Sequence, residues 1–170
     1  MENPGMVCIT ESYIFLTRIS AFKRSQRALT VLHELCHMWF GDLVTMKWWD
    51  DIWLNEGFAS FIAYHTLPIV SNTALSDTVD IKFLFYKQEA LNMDNLDSTH
   101  PVKQAIKDTE VATNIYDDIT YCKGSAVIKY LMYLIGEDKF SLALTNYFKK
   151  FAWDNADSSD FFVVIQDTLK

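Results

Sequence analysis

Two histidines spaced four residues apart place the strongest constraint on the fold of this chain. His33 and His37 stand in the stretch HELCH, and Glu34 directly follows the first histidine. On an α-helix, residues i and i+4 lie on one face about one turn apart, so both imidazoles can reach one metal ion. Glu34 projects to the side of this face and stays near the ion without being needed as a ligand. This H-E-x-x-H pattern is typical of zinc hydrolases.

A third ligand is predicted on a second helix. Glu56 follows His37 by nineteen residues, within the sequence Asn-Glu-Gly. Two imidazoles and one carboxylate leave the fourth position of a tetrahedral zinc site open to water, which distinguishes a catalytic site from a structural one. A chance H-E-x-x-H on an amphipathic helix is the alternative, and the acid at this distance makes it the weaker one. The fold is therefore expected to bring two helices together here.

The predicted donor set suits the hydrolysis of a carbonyl compound. Zinc would lower the pKa of a bound water molecule towards neutrality. Glu34 is placed to take a proton from that water and to deliver it to the leaving amine. The oxyanion that develops needs a further hydrogen-bond donor, and a tyrosine hydroxyl suits this role. The chain has eight tyrosines, so composition alone does not select one.

Length and composition fit one globular domain. The 170 residues are half hydrophobic and 15% aromatic, enough to build a core. The net charge is −7, and the single basic cluster, between Arg18 and Arg27, lacks the pattern of a nucleic-acid-binding surface. No window has the roughly 18 apolar residues of a membrane span, and the N-terminus lacks the features of a signal peptide. The odd number and spacing of the cysteines slightly favour a reducing compartment, so a cytoplasmic location is expected.

The hydrophobic pattern predicts an α+β fold that is mostly helical. Residues 6–17 are β-branched and aromatic, which predicts one or two short strands. Ser25 is expected to cap a helix from Gln26 to Phe40, which Gly41 ends. A second helix is predicted from Ile52 to Thr66, with Pro68 enforcing its end. An irregular connection is expected over residues 94–114, and further helices are predicted over 79–93, 119–135, 137–151 and 159–168, the last capped by Asp157 or Ser158.

Three residues near the motif are expected to have no catalytic role. His65 follows Glu56 by nine residues, which is about 180° round a helix, so it should face away from the metal. His100 precedes Pro101 in a polar stretch and is predicted as a loop residue, although this loop could fold back towards the site. Cys36 lies on a different face from the histidines and is predicted to be a small buried hydrophobic residue.

The zinc region resembles the gluzincin aminopeptidases of the aminopeptidase N type. Residues 39–59 read WFGDLVTMKWWDDIWLNEGFA, an almost unbroken match to the family pattern W-F-G-x-L-V-T-M-x-W-W-x-D-x-W-L-N-E-G-F-A. Residues 1–3, Met-Glu-Asn, match the end of the family's G-x-M-E-N exopeptidase motif, and residues 121–124 resemble its Y-x-K-G segment. The resemblance implies that residues 1–170 form an incomplete thermolysin-like zinc peptidase catalytic domain, with the family's N-terminal β domain and C-terminal helical domain absent.

The resemblance also implies a role for each matching residue of the metal site. His33, His37 and Glu56 match the zinc ligands, with one Zn²⁺ per chain. Glu34 matches the general base, and Tyr121 matches the tyrosine that stabilises the oxyanion.

The N-terminal motif is implied to bind the substrate. Glu2, with Met1 and Asn3 beside it, matches the glutamate that holds the free α-amino group of a peptide. A carboxylate at a fixed distance from the metal selects an ammonium group and places the first peptide bond on the zinc. The ammonium of Met1 could itself pair with Glu2 and take the place of the substrate amine. An isolated chain of this kind is also expected to expose sheet edges and apolar surface.

Four functional hypotheses follow from these residues. The leading one is a zinc aminopeptidase that removes one residue from peptides with a free N-terminus. The alternative is a truncated, catalytically silent fragment that binds zinc or peptide. A thermolysin-type endopeptidase is a third hypothesis, which the Met-Glu-Asn motif opposes. An epoxide-opening relative is a fourth, which no residue selects or excludes.

Overall fold

Helices dominate the computed structural model, which describes residues 1–71 and 79–170. The predicted α+β, mostly helical class is confirmed. The α-helices are α1 (Ala21–Cys36), α2 (Ile52–Val70), α3 (Val79–Asp94), α4 (Thr109–Ala112), α5 (Gly124–Ile135), α6 (Glu137–Phe151) and α7 (Ser158–Leu169). The strands are β1 (Val44–Met46) and β2 (Asp154–Ala156). Shorter helical turns span Glu11–Tyr13, Trp49–Asp51 and Thr113–Ile115, and a π-helical turn spans Ile119–Lys123.

The prediction of an N-terminal strand region over residues 6–17 is wrong. This segment contains a 3₁₀ turn at Glu11–Tyr13 and no strand. A strand needs a neighbour for its backbone hydrogen bonds, and the two strands of the described chain, β1 and β2, pair with each other in parallel. The apolar residues that suggested a strand stay at the surface, where Leu16 is 94% exposed.

Helix α1 begins five residues earlier than predicted because a different serine caps it. The hydroxyl of Ser20 accepts a hydrogen bond from the backbone N–H of Lys23. Ser25 is instead buried inside the helix, where its hydroxyl donates to the Phe22 carbonyl at 2.9 Å. The helix ends at Cys36, four residues before the predicted end, and a turn leads to Gly41.

Helix α2 is the centre of the fold. All ten residues from Ile52 to Phe61 are buried, and the helix packs against α1 on one side and α5 on another. The prediction that Pro68 ends this helix is wrong, because α2 continues to Val70. Pro68 lies in the last turn, so its missing N–H removes only one of the final helical hydrogen bonds. The Ser71 N–H then donates to the Leu67 carbonyl at 3.0 Å and closes the helix.

The C-terminal helices complete a core of aromatic side chains around α2. Helix α6 has its predicted bounds, and α7 begins at Ser158 with Asp157 as its capping residue. The rings of Phe40 and Phe58 stack with their centroids 3.9 Å apart, and Phe161 meets Phe58 edge-on at 5.2 Å.

The connecting segments differ from the prediction in two places. The connection over residues 94–114, expected to be irregular, contains the short helix α4, whose N-terminus is capped by Asp108. The helix expected from Ile119 begins with the π-helical turn, and α5 proper starts at Gly124.

Apolar side chains remain exposed on the outer faces of α3 and α5, as expected for this sequence. Leu84 and Phe85 on α3 and Tyr133 on α5 are among the exposed large side chains. Within residues 1–71 and 79–170, no helix combines the length and apolar character needed to cross a bilayer.

Candidate metal centre

Three side-chain atoms from α1 and α2 meet at one point. The Nε2 atom of His33 lies 3.2 Å from Oε2 of Glu56 and 3.1 Å from Nε2 of His37. The third side of this triangle, between Nε2 of His37 and Oε2 of Glu56, measures 3.4 Å. In a tetrahedral zinc site with bonds of about 2.0–2.1 Å, the ligand atoms are about 3.3–3.4 Å apart. The residues therefore fit one zinc-sized cation with an open fourth position.

The two helices place these atoms by simple helical geometry. His33 lies in the last turn of α1, and the His37 N–H still donates to the His33 carbonyl, so the two imidazoles stay one turn apart. Glu56 lies in the second turn of α2, on the face that packs against α1. His37 and Glu56 are buried, whereas His33 is partly exposed, so solvent reaches the triangle from the His33 side.

The buried carboxylate of Glu56 and the imidazole of His37 stabilise each other's charged forms. Burial alone would raise the pKa of Glu56, but hydrogen bonds from His33 and His37 lower it. Burial likewise would lower the pKa of His37, but the hydrogen bond and negative charge of Glu56 raise it. When no cation is present, the ionised Glu56 therefore favours the protonated form of His37. A metal ion that binds here must displace this proton.

Asn55 orients His37, a role that the sequence pattern did not predict. The Nδ1 atom of His37 lies 2.9 Å from Oδ1 of Asn55 and 3.0 Å from the Phe40 carbonyl. Both atoms are acceptors, so Nδ1 carries a hydrogen, and the Nε2 lone pair points at the metal position once a cation has displaced the proton shared with Glu56. Gly41 makes room for this arrangement, since its φ is +121° and a Cβ there would lie 2.7 Å from Oδ1 of Asn55.

Glu34 lies beside the triangle on α1 and is largely covered. Its side chain is 14% exposed, and Oε2 accepts a hydrogen bond from the Met1 ammonium at 3.0 Å. The expectation that this ammonium pairs with Glu2 is wrong. The Met1 backbone is held against Cys8 by two hydrogen bonds, which direct its ammonium towards Glu34. Burial alone would lower the pKa of this ammonium, but Glu34 raises it.

Glu2 lines a pocket of about 490 Å³, which it shares with Asn55, the partner of His37. The same pocket is lined by Met1, Asp42, Asn55 and Tyr116. Burial raises the pKa of Asp42, and the negative charge of the nearby Glu2 carboxylate raises it further. The charge of Glu2 therefore acts inside this pocket.

Asn3, the third residue of the N-terminal motif, lies outside this group of side chains. It is exposed, and its amide donates to Sγ of Cys8 at 3.7 Å.

Tyr121 stacks beside the first histidine. Its ring lies 6.0 Å from the His33 ring, centroid to centroid, with the planes 21° apart. Burial, and then the negative charge of Glu56, raise the pKa of Tyr121 well above its ordinary value. The phenol therefore keeps its hydrogen at neutral pH and can donate it in a hydrogen bond.

An aspartate fixes the π-helical turn that carries Tyr121. Oδ1 of Asp117 accepts hydrogen bonds from the backbone N–H groups of Ile119 and Thr120 at 3.0 and 3.1 Å. Its other oxygen lies 2.7 Å from Nε2 of His100. His100 is therefore a loop residue, as predicted, that braces this turn.

The remaining expectations for this region are confirmed. His65 contacts Glu137 on α6 at 3.2 Å and does not belong to the ligand triangle. Cys36 is 6% exposed, and burial raises its pKa to about 12, so it behaves as a small hydrophobic residue.

The site combines two imidazoles and a carboxylate with a further carboxylate and a phenol beside them. This set of groups is typical of a mononuclear metallohydrolase. The family described as "Peptidase family M1 domain" matches residues 1–170. The chain belongs to this peptidase family.

Relatives of known name match nearly the whole chain. It is 38% identical over 168 residues to aminopeptidase N of Streptomyces lividans, covering 99% of this chain and 20% of that protein. It is 40% identical over 174 residues to aminopeptidase N of Haemonchus contortus, covering 99% of this chain and 18% of that protein. Tricorn protease-interacting factor F2 of Thermoplasma volcanium is 37% identical over 170 residues, with coverages of 98% and 21%. The chain thus spans about a fifth of the length of these relatives.

Proposed function

We propose that this chain carries the active site of a zinc-dependent aminopeptidase, which hydrolyses the N-terminal peptide bond of peptides. The triangle of ligand atoms with sides of 3.1–3.4 Å is the observation that carries the proposal. The names of the aminopeptidase relatives support the same activity.

Zinc suits the donor set of His33, His37 and Glu56, because it accepts imidazole and carboxylate ligands in a tetrahedron and keeps one position open. A zinc ion bound there lowers the pKa of a water molecule and polarises the substrate carbonyl. One Zn²⁺ per chain is proposed, since one triangle of this kind occurs among the described residues.

Glu34 transfers the proton in this proposal, and Tyr121 stabilises the negative charge that develops on the substrate. Glu34 removes a proton from the attacking water and passes it to the leaving amine. Its carboxylate is mostly covered and follows the ligand His33 directly on α1, which supports this role. Tyr121 donates its hydrogen to the oxyanion that develops on the substrate. The position of its ring, stacked 6.0 Å from the ring of the ligand His33, supports this role.

Glu2 sets the exopeptidase specificity in this proposal. Its carboxylate binds the free α-ammonium group of the peptide and so places the first peptide bond at the metal. Its position in the pocket with Asp42 supports this role, because both residues give that pocket negative charge. Met1 lines the same pocket, and Asn3 belongs to the same motif, so both are proposed as substrate-binding residues.

A second candidate is a chain that binds zinc or peptide without turnover. The chain spans only about a fifth of its relatives' length, which favours this candidate for the isolated polypeptide.

Hydrolysis of aminoacyl anilides by the purified, zinc-loaded chain tests the proposed activity. The free substrate is expected to be cleaved and its N-acetylated form left intact, because acetylation removes the ammonium that Glu2 binds. Glu34→Gln is expected to lower kcat by at least about 100-fold. Glu110→Gln changes an exposed acid in the same way and is the matched control, expected to keep full activity.

Three results would change the proposal. Equal cleavage of acetylated and free substrate would remove the role of Glu2. Full activity in Glu34→Gln would remove its role as the base. Bound zinc without any turnover would support the second candidate.

We also propose a cytoplasmic location, with peptides that carry a free N-terminus as partners and no nucleic acid. The three free thiols support a reducing compartment, and the acidic net charge of −7 does not suit nucleic acid. Cell fractionation that recovers the protein in the secreted fraction would contradict this location.

A further inference from the structure

Ser60 is a buried polar residue that the proposed reaction does not use. It lies on α2 one turn after Glu56 and is 4% exposed. Its Oγ lies 3.3 Å from Nδ1 of His33, the ring nitrogen opposite the one in the ligand triangle. The same Oγ lies 3.0 Å from the hydroxyl oxygen of Tyr86 on α3. One face of α2 thus carries the proposed ligand Glu56 and, one turn later, the Ser60 hydroxyl. This hydroxyl contacts His33 at the ring nitrogen that faces away from the metal position.

Tyr86 can take either role in its hydrogen bond with Ser60. Burial raises the pKa of Tyr86 well above the ordinary value, so the phenol keeps its hydrogen. At 3.0 Å from the Ser60 Oγ, the Tyr86 oxygen can accept a hydrogen bond from the Ser60 hydroxyl.

The Ser60 hydroxyl has one hydrogen and two neighbours, so it can donate to only one of them. When it donates to the Tyr86 oxygen, the Ser60 oxygen is left as an acceptor for the Nδ1 hydrogen of His33. The opposite arrangement, in which Ser60 donates to Nδ1, would place the hydrogen of His33 on Nε2 and block the atom that the metal needs.

We propose that Ser60, oriented by Tyr86, is a positioning residue that holds the hydrogen of His33 on Nδ1 and aims its Nε2 lone pair at the metal. This inference rests on the proposed zinc centre. His37 has its own partners, Asn55 and the Phe40 carbonyl, so the loss of Ser60 leaves that ligand in place.

A cavity beside Ser60 makes a conservative substitution possible. It encloses about 250 Å³ and is lined by Ser60, Tyr86 and His33, with Ala63 and Tyr121 also contributing. The added methyl group of Ser60→Thr has space on this side, and the variant keeps the hydroxyl. Ser60→Ala removes the hydroxyl with almost no change in volume.

Metal affinity separates positioning from a merely structural role. The zinc dissociation constant is measured by competition with a chromophoric chelator, and the visible spectrum of the Co²⁺-substituted chain reports the ligand field. Ser60→Ala is expected to weaken zinc binding about 10-fold to 100-fold and to alter the Co²⁺ spectrum. Ser60→Thr is expected to restore both properties, and Tyr86→Phe is expected to weaken binding less than Ser60→Ala does.

Ser125→Ala is the matched control. Ser125 is also a buried serine, and its hydroxyl donates to the Cys122 carbonyl at 2.9 Å. It is not a partner of any metal ligand, so unchanged zinc binding is expected. Thermal unfolding of the metal-free variants checks that all of them fold.

The outcomes distinguish this inference from the proposed function. Zinc affinity in Ser60→Ala equal to that of the wild type would overturn the role of Ser60 and leave the metal centre intact. Equal weakening in Ser60→Ala and Ser60→Thr would also overturn it, because the hydroxyl would then be irrelevant. A folded wild-type chain that binds no zinc would overturn the metal centre itself, and this inference with it.

Discussion

The close approach of α2 and α5 gives a prediction whose size can be worked out from the structure. A Cβ added to Gly57 would lie 2.9 Å from the carbonyl carbon of Gly124 and 3.1 Å from the backbone nitrogen of Ser125. Both are backbone atoms, so α5 can relieve the contact only by moving away. A Cβ added to Gly124 would meet the Gly57 Cα and the Trp53 carbonyl oxygen at 3.4 Å, close to ordinary contact.

These distances predict opposite effects for two chemically identical substitutions. Non-bonded carbon atoms prefer about 3.5–4.0 Å, so Gly57→Ala must separate the helices by at least about 0.5 Å. Overpacking of this kind costs about 1–3 kcal/mol, while replacing a helical glycine by alanine returns about 0.5–1 kcal/mol. Gly57→Ala is therefore expected to destabilise the chain by about 1 kcal/mol and by no more than about 2.5 kcal/mol, and Gly124→Ala to stabilise it by about 0.5 kcal/mol.

The separation of α2 and α5 in Gly57→Ala also affects the proposed active site. Tyr121 lies in the turn that leads directly into α5, whereas Glu56 precedes Gly57 on α2. A separation of these helices moves the phenol relative to the metal ligands, and a misplacement of about 1 Å can cost about 100-fold in rate. Gly57→Ala is expected to lower kcat about tenfold by this reasoning. Its zinc content should stay unchanged, because all three ligands lie on the other side of the contact.

Urea denaturation of both variants and the wild type measures the free energy of unfolding. A Gly57→Ala variant as stable as Gly124→Ala would refute the reasoning, because the two substitutions differ only in what the new methyl group meets.

Two further predictions concern stability and thiol chemistry. Asp157→Ala is expected to cost about 1 kcal/mol, because Asp157 caps α7. Lys47 lowers the pKa of Asp157. The contribution of the Asp157 carboxylate to stability is therefore full above about pH 4 and is lost as the pH falls through the lower pKa of the folded state. Urea unfolding of the variant and the wild type at pH 7 and at pH 3 measures this loss. Iodoacetamide at pH 8 is expected to label the exposed Cys8 but not Cys36 or Cys122, whose pKa values burial raises to about 12. Mass spectrometry of the folded chain measures this labelling, and early modification of Cys36 would contradict it.

The sequence could predict that the proposed ligands His33 and His37 lie together, because local helix geometry fixes their spacing. A four-residue spacing on a helix determines the relative position of His33 and His37 in any fold. The position of Glu56 relative to them came from its pattern and family resemblance, and α2 packs against α1 as that prediction required.

Other features could not be predicted because they depend on distant contacts. Strand β1 exists because Val44 pairs with Asp154, which lies far along the sequence. Ser20 and Ser25 are equally good caps by composition, and only the burial of Ser25 separates them. Ser60 lacks any sequence signal of a metal site, since its role is defined by a contact with a ring on another helix.

Zinc analysis of the purified chain tests the central claim most directly. The chain is loaded with zinc, and excess metal is removed on a desalting column. Elemental mass spectrometry then measures the zinc content per chain. One zinc per folded chain is predicted for the wild type, and almost none for His37→Ala or Glu56→Gln. His65→Ala removes a histidine that contacts Glu137 and is predicted to keep its zinc. A folded wild type without zinc, or full zinc in His37→Ala, would contradict the assignment of this site.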